Sequence, residues 1–532
     1  MLPKKVDSFR ISTRSIIHSF SSGGLSRNPK PRGSVPQEWD QEIRARKLHS
    51  REWLLSLSPA MSADLVSKLR AALLHHQVRL DPVPQRQHVE DPNDPTLAYI
   101  SRMLLDEEEE PPQMIQLQDA YKNLIAELAA LVSSPGGSGN LIHPDDSGNI
   151  SVPDVHESRT GFLKSMLLEA ARAVAGNRGS EVYRIISEVR SLASPEGSSE
   201  ERTALFFADA LIARFTGFGS QVYSAMVKGI RERHSVHVRM LNLPSFRVTQ
   251  RFANGTILDF CQGGTRIHII DYGIHYGCQW PQLIQRLSQR PEGPPAMKIT
   301  GIDFPRVDVK ETERNLVEYA KSCGISLEFE AITSTSWELV QPKTHVNDLL
   351  IVNCNLRIRH LREDGSVGDN PRKLFFEKVY TLKPDLFIQC VVDAGSNLSS
   401  PFFIQRFEGA LESFFMTMDL FQTLLQEEMS EEYDYIGNIM AKTIMNVVAM
   451  EGVERLERPN SYRSWDSRAR RAGFEQEPVR PKAVELVKAA WCSSKPNCNF
   501  KMGMDGNWLL LGWKERVLYA MSTWRPQNKQ AG

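Results

Sequence analysis

The residues best placed to do chemistry fall in one short stretch. Asp271 closes an apolar run over 265–271, and Gly273 and Gly277 follow it. A second apolar run, 297–303, also ends in an acid, Asp303. A strand ending in an acid, a glycine turn, and a second acid after the next strand is the layout of nucleotide-type cofactor sites. S-adenosylmethionine-dependent methyltransferases share it. Glycines let backbone amides approach such a ligand, and the second acid accepts from ribose hydroxyls. The turn here lacks a GxG spacing, and Tyr272, Ile274, His275 and Tyr276 set bulk where a cofactor needs room. The expectation is a retained fold without the chemistry: no enzyme and no cofactor. A methyltransferase, or a regulator sensing a small molecule in the 271–303 crevice, is the alternative.

Other chemical signals are weaker. His268 sits mid-strand between apolar residues, which predicts a buried histidine bonded to a neighbour rather than a ligand or base. The sequence contains no HExxH, GxSxG or GxxxxGK[ST], and no His/Cys spacing that suits a metal. Trp280, Trp465, Trp508, Trp513 and Trp524 read as core anchors, with a partner groove as the other use of such residues.

A basic cluster stands out near the carboxy terminus. Arg455, Arg458, Arg463, Arg468, Arg470 and Arg471 lie close together, with Tyr462 and Trp465 among them. Arginines can neutralise phosphates, and the aromatics can pack on sugar or protein. Glu451, Glu454, Glu457 and Asp466 share the stretch, so internal ion pairs are the first reading. Contact of Arg463, Arg468, Arg470 and Arg471 with DNA or a partner is the second.

The elements that must position these residues follow from periodicity. Apolar runs at 265–271, 297–303, 327–332, 348–353 and 386–392 predict strands. Helical spacing at 280–287, 309–323 and 371–382 falls between them. Strand, helix, strand in repetition predicts a Rossmann-like, doubly wound α/β sheet with its crevice at the carboxyl ends of the strands. Upstream, 162–174, 182–192 and 204–226 predict helices, read as an α-helical cap.

Residues 1–159 are patterned weakly and are expected to be mostly disordered. Short helices are predicted within 38–80 and over 115–131, and 133–153 reads as a linker. Within 94–110, Leu97, Ile100, Leu104 and Leu105 repeat at helical spacing, and a run of acids follows directly. An apolar face beside acids suits a segment that folds onto a partner, and a solvated acidic turn after an ordinary helix is the equal alternative. Residues 1–33 carry Lys4, Lys5, Arg10, Arg14, Arg27, Lys30 and Arg32 against Asp7 alone. That composition fits a transit peptide, a basic tail or a nuclear signal.

Composition narrows the class. Over 532 residues, Lys plus Arg equals Asp plus Glu at 64 each, so bulk charge does not hold the chain on nucleic acid. The 41% hydrophobic content is ordinary for a globular chain. Seven scattered cysteines without CxxC predict free thiols. The absence of a long apolar run predicts no membrane span.

Several ordered blocks carry a family resemblance. The stretch 267–271 with Gly273, Trp280, Pro281, Arg290 and 299–302 resembles the VHIID block of the plant GRAS proteins. Pro384 with 385–387, and Pro401, Phe402, Phe403, Arg406 and Phe407, resemble the PFYRE block. Glu451, Arg455, Glu457, Arg458, Pro459, Tyr462, Trp465 and Arg468 resemble its closing part. Trp508, Gly512, Trp513 and Trp524 resemble the SAW block, and 162–230 the first leucine-rich region. Ala170 stands where the family usually has cysteine, and Phe414-Phe415 where Tyr-Ser is frequent. The motif over 97–106 is similar to that of the lily SCARECROW-like branch.

The resemblance implies a GRAS domain over 160–526, with a cap over about 160–235 and a methyltransferase-like core over about 240–526. It implies a nuclear transcriptional regulator that joins DNA-bound factors of bZIP or zinc-finger type. Direct promoter contact and a homodimer stay open. It implies transcriptional activation by the 97–106 motif.

Overall fold

The computed structural model describes Tyr99 and residues 156–231, 244–362, 370–394, 402–425, 430–492 and 499–527. The expectations for 1–33, 38–80, 115–131 and 133–153, and for 94–110 apart from Tyr99, lie outside the described residues.

From residue 156 onward the described chain begins with four helices: α1 (His156–Ala175), α2 (Gly179–Leu192), α3 (Ser199–Thr216) and α4 (Gly219–Arg231). The single stretch expected over 204–226 is thus two helices. Ser198 caps α3 by accepting from the Glu201 amide, and Gly217 ends it in the left-handed region at φ +77°. A side chain there would be strained, so Gly217 sets the break.

The α/β part follows. After α5 (Pro244–Phe260) come β1 (Arg266–Tyr272), α6 (Trp280–Ser288), β2 (Ala296–Asp303), α7 (Val309–Ser322) and β3 (Leu327–Thr333). Next are β4 (Leu349–Asn355), α8 (Pro371–Thr381) and β5 (Leu386–Val392). Two long helices, α9 (Phe403–Leu424) and α10 (Ser430–Ala449), then intervene. The chain closes with α11 (Tyr462–Arg471), β6 (Phe474–Glu477), α12 (Pro481–Cys492), β7 (Phe500–Asp505), β8 (Trp508–Trp513) and β9 (Arg516–Pro526).

The sheet has nine strands in the order β3-β2-β1-β4-β5-β9-β8-β7, with β6 also paired to β9. Strands β1 to β5 are parallel, and β9 joins β5 antiparallel. This is the Rossmann-like, methyltransferase-like doubly wound arrangement, with strand order reversing beside β1. Both sheet faces are covered, as parallel strands require. Ile267, Ile269, Ile299 and Ile351 face a cluster built with α5, α6, α7 and α12. Ile270, Tyr272, Ile302 and Val352 face another, with Phe375 and Phe376 of α8 and Trp465 of α11. Two-residue alternation thus sorts each strand between the two layers.

The helical cap is larger than the expected 160–235. Phe403, Phe407, Ala410 and Phe415 of α9, and Ile444, Val447 and Val448 of α10, share one buried cluster with α1 to α4. The Phe207 ring meets Phe407 edge-on at 5.3 Å and stacks on Phe415 at 6.2 Å. Ala170 and Phe415 are both buried there, so both departures from the family pattern are packing positions. Cap helices separated by two hundred residues of sequence must find one another through apolar faces alone, which no local pattern records.

Candidate functional site

The crevice at the carboxyl ends of β1, β2 and β4 gathers the acids noted above. Asp271 is the penultimate residue of β1 and is buried. Its carboxylate accepts from the Trp280 indole at 2.9 Å and the Asn353 amide at 2.8 Å. Asp271 therefore ties the start of α6 to the end of β4. Burial pushes its pKa up to about 7, although Asn353, Trp280 and the Arg357 charge all pull it down.

Asp303 ends β2 and is also buried. It accepts from the His275 amide at 3.0 Å and the Phe304 amide at 2.7 Å, and forms an ion pair with Arg357. The Arg357 guanidinium also lies over the Phe304 ring, 4.6 Å from its centroid. Its methylenes cover Gly273, which adopts φ +101°; a Cβ there would come within 2.7 Å of Arg357 Cγ. Gly273 is thus required twice, by its backbone and by Arg357. Burial, with Arg359 nearby, lowers the Arg357 pKa to about 9.

Arg357, just past β4, therefore occupies the place sequence reasoning left for a ribose. The bulk expected from the turn goes elsewhere. Tyr272 and Ile274 turn into the protein, and the Tyr272 ring meets Phe375 edge-on at 5.1 Å. Nothing local singled out Arg357; its role depends on the β1, β2 and β4 ends coming together. The only available signal was a cation directly after a predicted strand of the parallel sheet.

His268 is fully buried, and its Nε2 lies 2.9 Å from the Thr300 hydroxyl. Burial and the nearby Lys298 charge lower its pKa to about 4, so the ring is neutral at neutral pH. Pro281 and Pro384 are buried as well.

The stretch after α10 forms a polar network rather than a basic surface. Arg455 and Arg458 of the basic cluster are buried. Glu457 accepts from Lys442 of α10 at 2.8 Å and pairs with Arg359 at 3.4 Å. Asn446 Nδ2 donates to the Glu457 carbonyl oxygen at 2.8 Å, and Asn446 Oδ1 accepts from the Glu457 amide at 3.2 Å. Burial pushes the Glu457 carboxyl up, but Lys442 and Arg359 outweigh it and hold the group well below the usual carboxylate range. Glu451 pairs with Arg406 of α9 and with Arg214 of α3, the latter at 3.0 Å. The Arg214 guanidinium stacks 3.8 Å from the centroid of the buried Phe403 ring.

The tryptophans are anchors. Trp465, Trp508, Trp513 and Trp524 are all buried. Trp465 lies under the Arg372 guanidinium at 4.6 Å, and the Trp508 indole donates to Asp466 at 3.0 Å. Trp513 donates to Asp419 of α9, and Trp524 to the Ser522 hydroxyl at 2.8 Å. At Gly512 the β8–β9 register shifts, and a Cβ would meet the Arg516 carbonyl oxygen at 2.6 Å.

The structure does not assemble the four candidate contact arginines into one bare patch. Arg463 is 77% exposed but pairs with Asp505 at 3.1 Å. Arg470 pairs with Asp466 at 2.7 Å and lies over Trp524 at 5.4 Å. Arg468 lies 5.9 Å from the Trp465 ring and is half-buried; Arg471 is exposed. Among the described residues, no group of three or more His, Cys, Asp and Glu is arranged to hold a metal. Among them, too, no helix is long and apolar enough to cross a membrane. Cys261, Cys278, Cys323, Cys354 and Cys390 are free thiols.

Fold and crevice together define a capped, methyltransferase-like α/β scaffold whose cofactor shelf is covered by its own arginine. Over residues 163–525 the chain matches the GRAS domain family, and it belongs to that family. It is 33% identical over 388 residues to Scarecrow-like protein 31 of Arabidopsis thaliana, covering 70% of this chain and 56% of that protein. Similarity to Scarecrow-like protein 14 of the same plant is 32% over 421 residues, covering 76% and 54%. The chain thus spans about half the length of these relatives. Among solved structures, the crystal structure of SCL7 in Oryza sativa is similar, with a TM-score of 0.57 and 26% identity. That likeness covers 68% of this chain and 99% of the other.

Proposed function

We propose that this protein is a non-enzymatic transcriptional co-regulator of the nucleus that docks on DNA-bound factors of bZIP or zinc-finger type. One observation carries the reading. The two acids and the glycine that would serve a nucleotide-type cofactor are engaged by Trp280, Asn353 and Arg357 of the chain itself. Asp303 is buried and already accepts from Arg357 and from the His275 and Phe304 amides, which leaves at most one of its roughly four acceptor sites for a ribose hydroxyl.

Protein docking has support on the surface. Phe402, Val453 and Leu456 are large apolar side chains left exposed, on the two segments joined by the Arg406–Glu451 pair. Exposed apolar groups beside a fixed polar network suit a protein partner. Direct DNA contact is the second reading, and exposed Arg471 beside Arg470 in the last turn of α11 favours it. Against it, Asp505 and Asp466 already offset Arg463 and Arg470.

Fluorescence anisotropy of the full chain with a pool of random duplex DNA, over a salt series, separates the two. The expected result is weak binding, lost with salt and without sequence preference, and unchanged by Arg470→Glu plus Arg471→Glu. Sequence-enriched binding that survives near-physiological salt and falls in the folded double variant would make the protein a direct DNA reader.

A further inference from the structure

Tyr99 lies outside the family match yet belongs to the core. It is helical, 1% exposed, and part of the cluster formed by α5, α6, α7 and the first face of the sheet. Its hydroxyl donates to the Tyr276 carbonyl oxygen at 2.9 Å. The Cys278 thiol is directed at the same oxygen, 4.0 Å away. The Tyr319 ring of α7 meets the Tyr99 ring edge-on, with centroids 6.0 Å apart at 82°.

The receiving surface is fixed without Tyr99. The Thr312 hydroxyl of α7 donates to the His275 carbonyl oxygen at 2.7 Å. Gly277 sits so close to α7 that a Cβ would meet Leu316 Cδ1 at 2.8 Å. The turn after β1 and the face of α7 are thereby locked together. Between them they offer an apolar wall, an aromatic edge and one carbonyl acceptor, the set that a buried tyrosine needs.

We propose that the core carries a tyrosine-receiving site, formed by the Tyr276 carbonyl, Cys278 and Tyr319, whose occupant is the chain's own Tyr99. The turn that would carry a cofactor in a nucleotide-binding enzyme instead holds the Tyr99 side chain.

The test uses the full chain and thiol labelling read residue by residue by mass spectrometry. In Tyr99→Ala, Cys278 is expected to react about tenfold faster or more, because the side chain that covers its shared acceptor is gone. Cys354 and Cys390, both fully buried at a distance in sequence, are expected to stay protected. Tyr99→Phe keeps the ring and is expected to keep most of the Cys278 protection. Equal Cys278 labelling in wild type and Tyr99→Ala would overturn the proposal. Loss of protection at Cys354 and Cys390 together with Cys278 would also overturn it, since Tyr99 would then be inseparable from the core. None of these outcomes depends on whether the protein regulates transcription.

Discussion

Replacing Arg357 with alanine is expected to cost about 3–5 kcal/mol of folding stability, read as a lower urea midpoint at unchanged slope. Asp303 is buried, and its remaining donors are the His275 and Phe304 amides. Two amide bonds do not offset a whole charge left in a low-dielectric site. The variant also uncovers Gly273 and strips the guanidinium from the Phe304 ring. Arg357→Lys is expected to recover only part of the loss, because an ammonium cannot lie flat on that ring as a guanidinium does. A loss below about 1 kcal/mol for Arg357→Ala, the size of an exposed pair, would show that the pair is solvated and the crevice open.

Glu457→Gln is expected to be as costly, again about 3–5 kcal/mol. The carboxylate holds Lys442 of the cap helix α10 and Arg359 of the loop after β4, so it joins cap to core. Without it, two cations face each other across a buried gap. The pH dependence supplies a second readout. The folded-state pKa is depressed, so this stabilisation is fully present above the unfolded glutamate value, about 4.3. It is lost as pH falls through the folded value. Wild type is therefore expected to lose stability steeply below about pH 4.3, and Glu457→Gln to show a shallower slope there. Equal slopes would remove Glu457 from the joint.

Much of the α/β core was legible from local pattern. Strands buried on both faces must be apolar throughout, so β1, β4 and β5 stand out as runs such as Ile269-Ile270 and Leu350-Ile351-Val352. Helix α5 did not, because its inward face carries Thr249, Asn254 and Thr256 beside Val248, Phe252 and Ile257. Buried polar residues blur the apolar period they share. Strand β7 was hidden for the opposite reason. It lies at the sheet edge, and Lys501, Met502, Gly503 and Met504 all face solvent.

The site was legible in position and not in occupancy. Asp271, Gly273 and Asp303 converge where strand ends predict a crevice. That Arg357 fills it depends on a close approach of β4 to β1 and β2, which sequence spacing does not encode. The arginine cluster shows the same limit. Arg455 and Arg458 differ from Arg470 and Arg471 in burial, not in type or spacing, and only the packed chain separates them. Tyr99 makes the point from the other side. The apolar stripe of Leu97, Ile100, Leu104 and Leu105 points to that segment, and its one described residue, Tyr99, is seated on the core.

We propose that this fold keeps a cofactor crevice only in outline. Calorimetric titration of the full chain with S-adenosylmethionine tests it most directly. No saturable heat is expected, because the shelf at Gly273 and the acid at Asp303 are held by Arg357. Saturable binding that is lost in Asp303→Asn, with the variant still folded, would contradict it and return the crevice to a working ligand site.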